Sequence, residues 1–159
     1  MTALGEEMPE ETPEVTARGM ARIAHLQRTD PGGAWVAEID GQIAGVALAL
    51  VREGLWGLSL LAVEPAHQSR GIGRRLFEPA LAYGDGTRGG IILSSQDPRA
   101  MRRYALAGFA LRPCITAAGA LNRNLLPGGL ASRPGDPEAD REIVDAASRA
   151  VRGLSLIHI

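Results

Sequence analysis

Val63-Glu64-Pro65-Ala66-His67-Gln68-Ser69-Arg70-Gly71-Ile72-Gly73-Arg74-Arg75-Leu76 decides the fold of this 159-residue chain. An apolar run from Leu55 to Val63 leads into it, and Pro65 stops the run. After a short polar turn come two glycines one residue apart, then Ile72, Leu76, Phe77, Ala80 and Leu81 at helical spacing. The order is strand, glycine loop, helix. Gly71 and Gly73 let the backbone come close to a ligand, and the unpaired N–H groups of the helix's first turn point at whatever sits there. Such a turn attracts anions, and Arg70, Arg74 and Arg75 add full charge beside it. Two nucleotide loops fail on a required residue. A dinucleotide fingerprint needs a third glycine where Leu76 stands, and a P-loop needs Gly-Lys-Ser/Thr in a chain that has no lysine.

Upstream, Ala34–Ile39 and Gln42–Val51 flank Asp40-Gly41, a pair suited to a type I′ hairpin turn. Arg52-Glu53-Gly54 reverses the chain again into Leu55–Val63, so three antiparallel strands form a meander that feeds the glycine loop. Before them, Pro13 to about Arg28 carries Val15, Met20, Ile23, Ala24 and Leu26 as an imperfect helical stripe, ended by Thr29-Asp30-Pro31-Gly32-Gly33. Downstream, Pro79 predicts a kink, because it removes the hydrogen bond to the Arg75 carbonyl. The first turn lies upstream of that lost bond. Gly90–Ser95 is short, apolar and bounded by turns, as a buried parallel strand would be. Asp97-Pro98 then starts a helix to about Ala107, closed by Gly108.

Bulk properties narrow the function. The formal charge of −1 implies no affinity for nucleic acid or a membrane surface. The single cysteine, Cys114, excludes an internal disulfide and suits the cytoplasm. His25, His67 and His158 are scattered without carboxylate or cysteine partners at ligand spacing, so no metal site is expected. No apolar run approaches the roughly twenty residues of a membrane span. Without lysine there is no Schiff-base chemistry, and Ser59, Ser94 and Ser95 have no histidine partner for a serine nucleophile.

Gln68-Ser69-Arg70-Gly71-Ile72-Gly73 resembles the pyrophosphate loop of the GNAT superfamily of N-acyltransferases, Gln/Arg-x-x-Gly-x-Gly/Ala, preceded by the Val-x-Pro that commonly closes that family's fourth strand. A second motif lies about thirty residues on. Asp97-Pro-Arg-Ala100-Met-Arg-Arg-Tyr104-Ala-Leu-Ala-Gly108-Phe109 is similar to the family's fourth helix, with Ala100, Tyr104 and Gly108-Phe109 in register. Asp97 stands where Asn is usual, and Arg103 replaces an apolar residue. The resemblance implies a mixed α/β GNAT fold, an antiparallel meander joined to a parallel strand pair with flanking helices. It begins at the family's second helix, the first strand and helix not being visible. It covers about residues 14–113 within a domain taken as 14–126, after a mobile lead-in over 1–13 rich in glutamate. Pro127–Gly135 reads as a linker. Residues 136–152, with Ile143, Val144, Ala147 and Val151 on one helical face, resemble the first helix of another GNAT copy, as in a tandem protein; the alternative is a C-terminal helix that packs on the same domain. The apolar end, 153–159, reads as a non-native or disordered tail.

The resemblance also implies the chemistry. An acceptor amine, of a small molecule or a peptide, attacks the thioester of acetyl-CoA directly, and the protein supplies positioning and charge stabilisation. The strands Leu55–Val63 and Gly90–Ser95 are expected to splay. Their opening exposes backbone at Leu61, Ala62 and Val63 to the pantetheine amides, while residues 68–75 (Gln68, Ser69, Arg70, Gly71, Ile72, Gly73, Arg74, Arg75) take the pyrophosphate. Tyr104 is the expected proton donor to the departing thiolate, and Glu64 a base or the orienter of a proton-carrying water. The competing reading is a copy that binds acyl-CoA without transferring it.

Overall fold

The computed structural model describes residues 12–113, 119–120, 122–125, 128–129 and 133–152. Most of the predicted lead-in, Cys114, parts of the linker and the tail 153–159 lie outside the described residues. The chain forms two compact units, Met1–Ala110 and Leu111–Ile159.

The first unit opens with helix α1, Pro13–Thr29, whose Thr12 hydroxyl accepts from the Val15 amide and whose first residue is proline, the placement both residue types favour. Strands β1 (Ala34–Ile39), β2 (Gln42–Arg52) and β3 (Leu55–Val63) form the expected meander, β1 with β2 and β2 with β3 antiparallel. Both hairpins close on two residues of positive φ: Asp40 at 52° and Gly41 at 77°, then Glu53 at 48° and Gly54 at 76°. Strand β4 (Gly89–Ile92) adds in parallel to β3, completing a four-stranded sheet in the order β1-β2-β3-β4. Helix α2 (Ile72–Ala82) lies between β3 and β4 in sequence, and α3 (Pro98–Leu106) follows β4.

One hydrophobic core joins the sheet to α2 and α3. It contains Ala47, Ala49, Trp56, Leu76, Phe77, Ala80 and Tyr104, with Leu61, Val63, Ile72 and Phe109 packed around it. The Trp56 indole N–H donates to the Ala80 carbonyl at 2.8 Å, and its ring centroid stands 6.4 Å from Phe77 and 5.7 Å from Phe109. Large aromatic area is thus buried without stranding the indole's polar atom. A second anchor is Asp30, 1% exposed, just past α1. Its carboxylate accepts from Arg52, from the Val51 amide, from Thr29 and from the Tyr83 hydroxyl, tying α1 to β2 and to the end of α2.

Three expectations are corrected. The parallel strand is shorter than Gly90–Ser95, and it is an edge strand rather than a buried one, with Ile91 56% exposed. Its pairing ends at Leu58↔Ile92, where β3 bulges: Leu48 faces Leu60 and Ala49 faces Leu58, so Ser59 is the extra residue. The stripe of α1 buries only Leu26, leaving Val15, Met20 and Ile23 exposed, because the helix touches the sheet near its C-terminal end. Helix α2 carries Pro79 inside it and runs to Ala82, just before the Gly84–Gly86 stretch expected to end it. In the second unit the helix α4 is Arg141–Arg152, not 136–152, because the Asp136 carboxylate takes the Glu138 and Ala139 amides in a turn before it. The apolar residues Ile143, Val144 and Val151 of α4 are exposed, and its buried positions are Asp145 and Ser148.

Candidate active site

The bulge at Ser59 opens the sheet. Beyond Leu58 the edge of β3 that faced β4 has no strand beside it among the described residues. The Glu64 amide donates to the Ala44 carbonyl, so alternation along β3 turns the backbone groups of Ala62 toward β2 and those of Leu61 and Val63 toward the open edge. Two side chains occupy parts of that edge. Arg22 of α1 donates to the Ser59 carbonyl and hydroxyl, and the Gln68 amide donates to the Val63 carbonyl at 3.1 Å. Between them the Leu61 backbone remains at the opening.

A cleft of about 180 Å³ lies along this edge. Leu61 and Val63 line one wall, and Gln68, Ser69, Gly71, Ile72 and Gly73 form its end. Ser95, Asp97, Arg99, Ala100, Arg103 and Tyr104 form the wall from β4's exit and α3. The loop that ends the cleft is shaped by positive φ at Ser69 (61°) and Gly71 (81°), the latter being the N-cap of α2. No side chain caps α2, so its first two amides, of Ile72 and Gly73, meet the cleft rather than a protein oxygen, while those of Arg74 and Arg75 donate to the Gly71 carbonyl. Such amides suit an anion. The His67 ring also lines the cleft, and its Nδ1 is buried with no hydrogen-bond partner, an atom that a bound polar group would satisfy.

Tyr104 is 7% exposed, its ring 5.4 Å from that of Phe77, and its hydroxyl has no hydrogen-bond partner among the described residues. Burial pushes this phenol above the ordinary tyrosine value, against a smaller lowering by the Arg103 charge, so it is a neutral donor at physiological pH. Asp97 caps α3 by accepting from the Arg99 amide at 2.9 Å and pairs with the Arg99 guanidinium, which holds its carboxyl below the usual range. Arg99 also donates to Gln68 Oε1, locking the glycine loop to α3.

Of the residues singled out in the sequence, the cleft gathers Leu61, Val63, Gln68, Ser69, Gly71, Ile72, Gly73 and Tyr104. Ala62, Glu64, Arg70, Arg74 and Arg75 are not part of its lining; Glu64 and Arg70 are exposed, and Arg74 pairs with Glu78 on the surface of α2. His67, Ser95, Asp97, Arg99 and Arg103 are cleft residues to which the sequence reading gave no part in binding or catalysis. The four-residue spacing of Arg99 and Arg103 already places both on one face of α3, the face that carries Ala100 and Tyr104 beside them. Among the described residues no cluster of His, Cys, Asp or Glu could hold a metal ion, and no helix is long and apolar enough to cross a membrane.

An open parallel pair, a glycine loop at a helix N-terminus and a buried tyrosine on the next helix are the features that the resemblance to N-acyltransferases implies. The sequence model of the acetyltransferase (GNAT) family matches residues 2–109, and the chain belongs to that family. It is an acyltransferase of the N-acetyltransferase kind. No curated protein matches. Among solved structures the chain is similar to a putative acetyltransferase from Pyrococcus horikoshii, with 18% identity over 94% of this chain and 51% of that one and a TM-score of 0.59. It is similar also to Ard1 from Thermoplasma volcanium, with 20% identity over 70% of this chain and 72% of that one and a TM-score of 0.53. A third is AAC(6')-Iy in complex with the bisubstrate analogue CoA-S-monomethyl-acetylneamine, with 19% identity over 71% of this chain and 84% of that one and a TM-score of 0.52. At these identities the likeness bears on the fold.

Proposed function

We propose that the chain transfers the acetyl group of acetyl-CoA directly to the amine of a small-molecule or peptide acceptor. The observation that carries the reading is the convergence on one cleft of the α2 amides, the unpaired Leu61 backbone and the Tyr104 hydroxyl. The loop Gln68–Gly73 and the first turn of α2 hold the pyrophosphate through backbone N–H groups, and the open edge of β3 at Leu61 and Val63 pairs with the pantetheine amides. This fixes the thioester against Tyr104. The acceptor nitrogen attacks the thioester carbon, the carbon–sulfur bond breaks, and Tyr104 gives its phenolic proton to the departing sulfur. The nitrogen's surplus proton leaves through water, a path that restores the tyrosine. Glu64 could assist only through that water, since its carboxylate stands outside the cleft.

The exclusion of serine, lysine and metal chemistry by the sequence leaves direct attack as the economical route. The single cysteine suits a reducing, cytoplasmic setting, and residues 127–135 serve as a linker toward the start of a further copy. Isothermal titration with acetyl-CoA, followed by a thiol-release assay over an amine panel, tests the reading. Binding with amine-dependent release of thiol is the expected result. Binding without release from any amine would favour the silent acyl-CoA-binding copy, for which the unusual Arg103 on α3 is the specific support.

A further inference from the structure

The cations that the sequence offers to the diphosphate are not the ones in the cleft. Arg70, Arg74 and Arg75 stand outside its lining, and Arg74 is committed to Glu78 at 2.8 Å. Two other guanidinium groups line it, Arg99 and Arg103, one turn apart on α3. Arg99 is already neutralised by Asp97 at 2.9 Å and bonded to Gln68. Arg103 is different. It is half-buried, yet it has neither a carboxylate nor a hydrogen-bond partner among the described residues.

Its position explains what could satisfy it. A Cβ placed on Gly73 would lie 3.9 Å from Arg103 Cζ and 4.0 Å from its Nη2, so the guanidinium hangs beside the first turn of α2. There it faces the uncapped amides that already favour an anion. A partly desolvated charge with no counter-charge is unfavourable by itself, and an incoming anion held between it and the helix amides removes that cost. Of the cleft's charged side chains, Arg103 alone combines these two properties, being uncompensated and set against the helix terminus.

We propose that Arg103 is the side-chain cation that grips the diphosphate of the acyl-CoA donor and makes this cleft select a nucleotide-bearing thioester over a bare pantetheine thioester. The inference rests on the acetyl-CoA reading of the same cleft. Arg103 closes on the diphosphate from α3 while the α2 amides hold it from the other side. Guanidinium geometry then allows a two-point contact with the diphosphate oxygens.

The test is isothermal titration of the full chain with CoA, dephospho-CoA and pantetheine, for wild type, Arg103→Met and Arg103→Lys. Methionine keeps the apolar stem and removes the charge; lysine keeps the charge and removes the planar fork. Arg103→Met is expected to weaken CoA and dephospho-CoA alike, each on the order of tenfold at low salt and less at high salt, as loss of a charge-assisted contact would. Pantetheine affinity stays unchanged, and lysine recovers part of the loss. Unaltered CoA affinity in Arg103→Met overturns the proposal. So does an equal loss for pantetheine, which would mean that Arg103 acts by holding α3 in place, and so does a loss confined to CoA, which would move the contact to the 3′-phosphate. Wild type that binds neither CoA nor dephospho-CoA would instead remove the acetyl-CoA reading itself.

Discussion

Ser69 carries a side chain at φ 61°, a left-handed backbone that glycine adopts freely and other residues adopt at a cost. Its hydroxyl has no hydrogen-bond partner among the described residues to offset that strain. Ser69→Gly should therefore raise stability by roughly 0.5–1 kcal/mol, read as a rise of a few degrees in the thermal midpoint, with CoA affinity unchanged. The opposite substitution a little further on is harmful. Gly71 sits at φ 81° as the N-cap of α2, so Gly71→Glu strains the backbone and puts a carboxylate where the diphosphate must approach. CoA binding should be abolished in a folded protein. Tyr104→Phe keeps the ring against Phe77 and removes only the donor, so turnover should fall on the order of a hundredfold while acetyl-CoA affinity holds. Burial raises the Tyr104 phenol, so it stays protonated past the ordinary tyrosine pKa of 10.0, and no alkaline loss of rate assignable to it is expected below that value. A rate limb from Tyr104 at lower pH would contradict the site geometry.

At the scale of elements, the Asp30 carboxylate joins α1, β2 and the turn after α2. Burial alone would raise its pKa; hydrogen bonds from Arg52, Thr29 and the Val51 amide, with the Arg52 charge, outweigh that and bring it to about 2 from 3.8. A carboxyl held lower in the folded state than in the unfolded chain stabilises the fold above the unfolded value. That contribution, about 2 kcal/mol by linkage, is lost as the pH falls from about 4 toward 2. Asp30→Ala leaves the Arg52 guanidinium, with 12% of its side chain exposed, without its carboxylate. It should cost about 3 kcal/mol at neutral pH and flatten the acid limb of the denaturation profile between those two pH values. A mutant as stable as wild type at pH 7 would mean that Arg52 and Tyr83 find other partners. The bulge at Ser59 acts at the same scale. One extra residue ends the β3–β4 pairing after Ile92, and the Arg22 guanidinium takes up the Ser59 carbonyl at the point where the strands part.

For the whole molecule, the first unit holds every residue that lines the cleft, since the lining runs from Leu61 to Tyr104 within Met1–Ala110. A chain truncated after Arg112 is thus expected to keep its fold and its affinity for CoA, within about twofold, by circular dichroism and titration. Failure of the truncated chain to fold would assign Leu111–Ile159 a part in the stability of the first unit and weaken the reading of α4 as the start of a separate copy. The exposed Ile143, Val144 and Val151 accord with a helix whose apolar face meets a sheet supplied elsewhere in such a copy.

What could be read in the chain alone followed from local rules. The Asp40-Gly41 turn, the Thr12 and Asp97 caps, Gly71 at the head of α2 and the apolar spacing that buries Leu76, Phe77 and Ala80 each depend on residues within a turn or two of one another. These determine the meander, the glycine loop and the helix after it, and the in-register Tyr104 motif added the family. The rest depended on partners far apart in sequence. Edge exposure of β4 follows from its place at the end of the sheet among the described residues, and the exposure of α1 from how little of that helix touches the sheet. The cleft's charges were decided the same way. A helix's first turn aims its amides along the axis and its long side chains away from it, and Arg74 and Arg75 stand outside the cleft lining. The spacing of Arg99 and Arg103 puts them on the Tyr104 face of α3, but only the packing of that face beside β3 and the glycine loop brings them to the cleft.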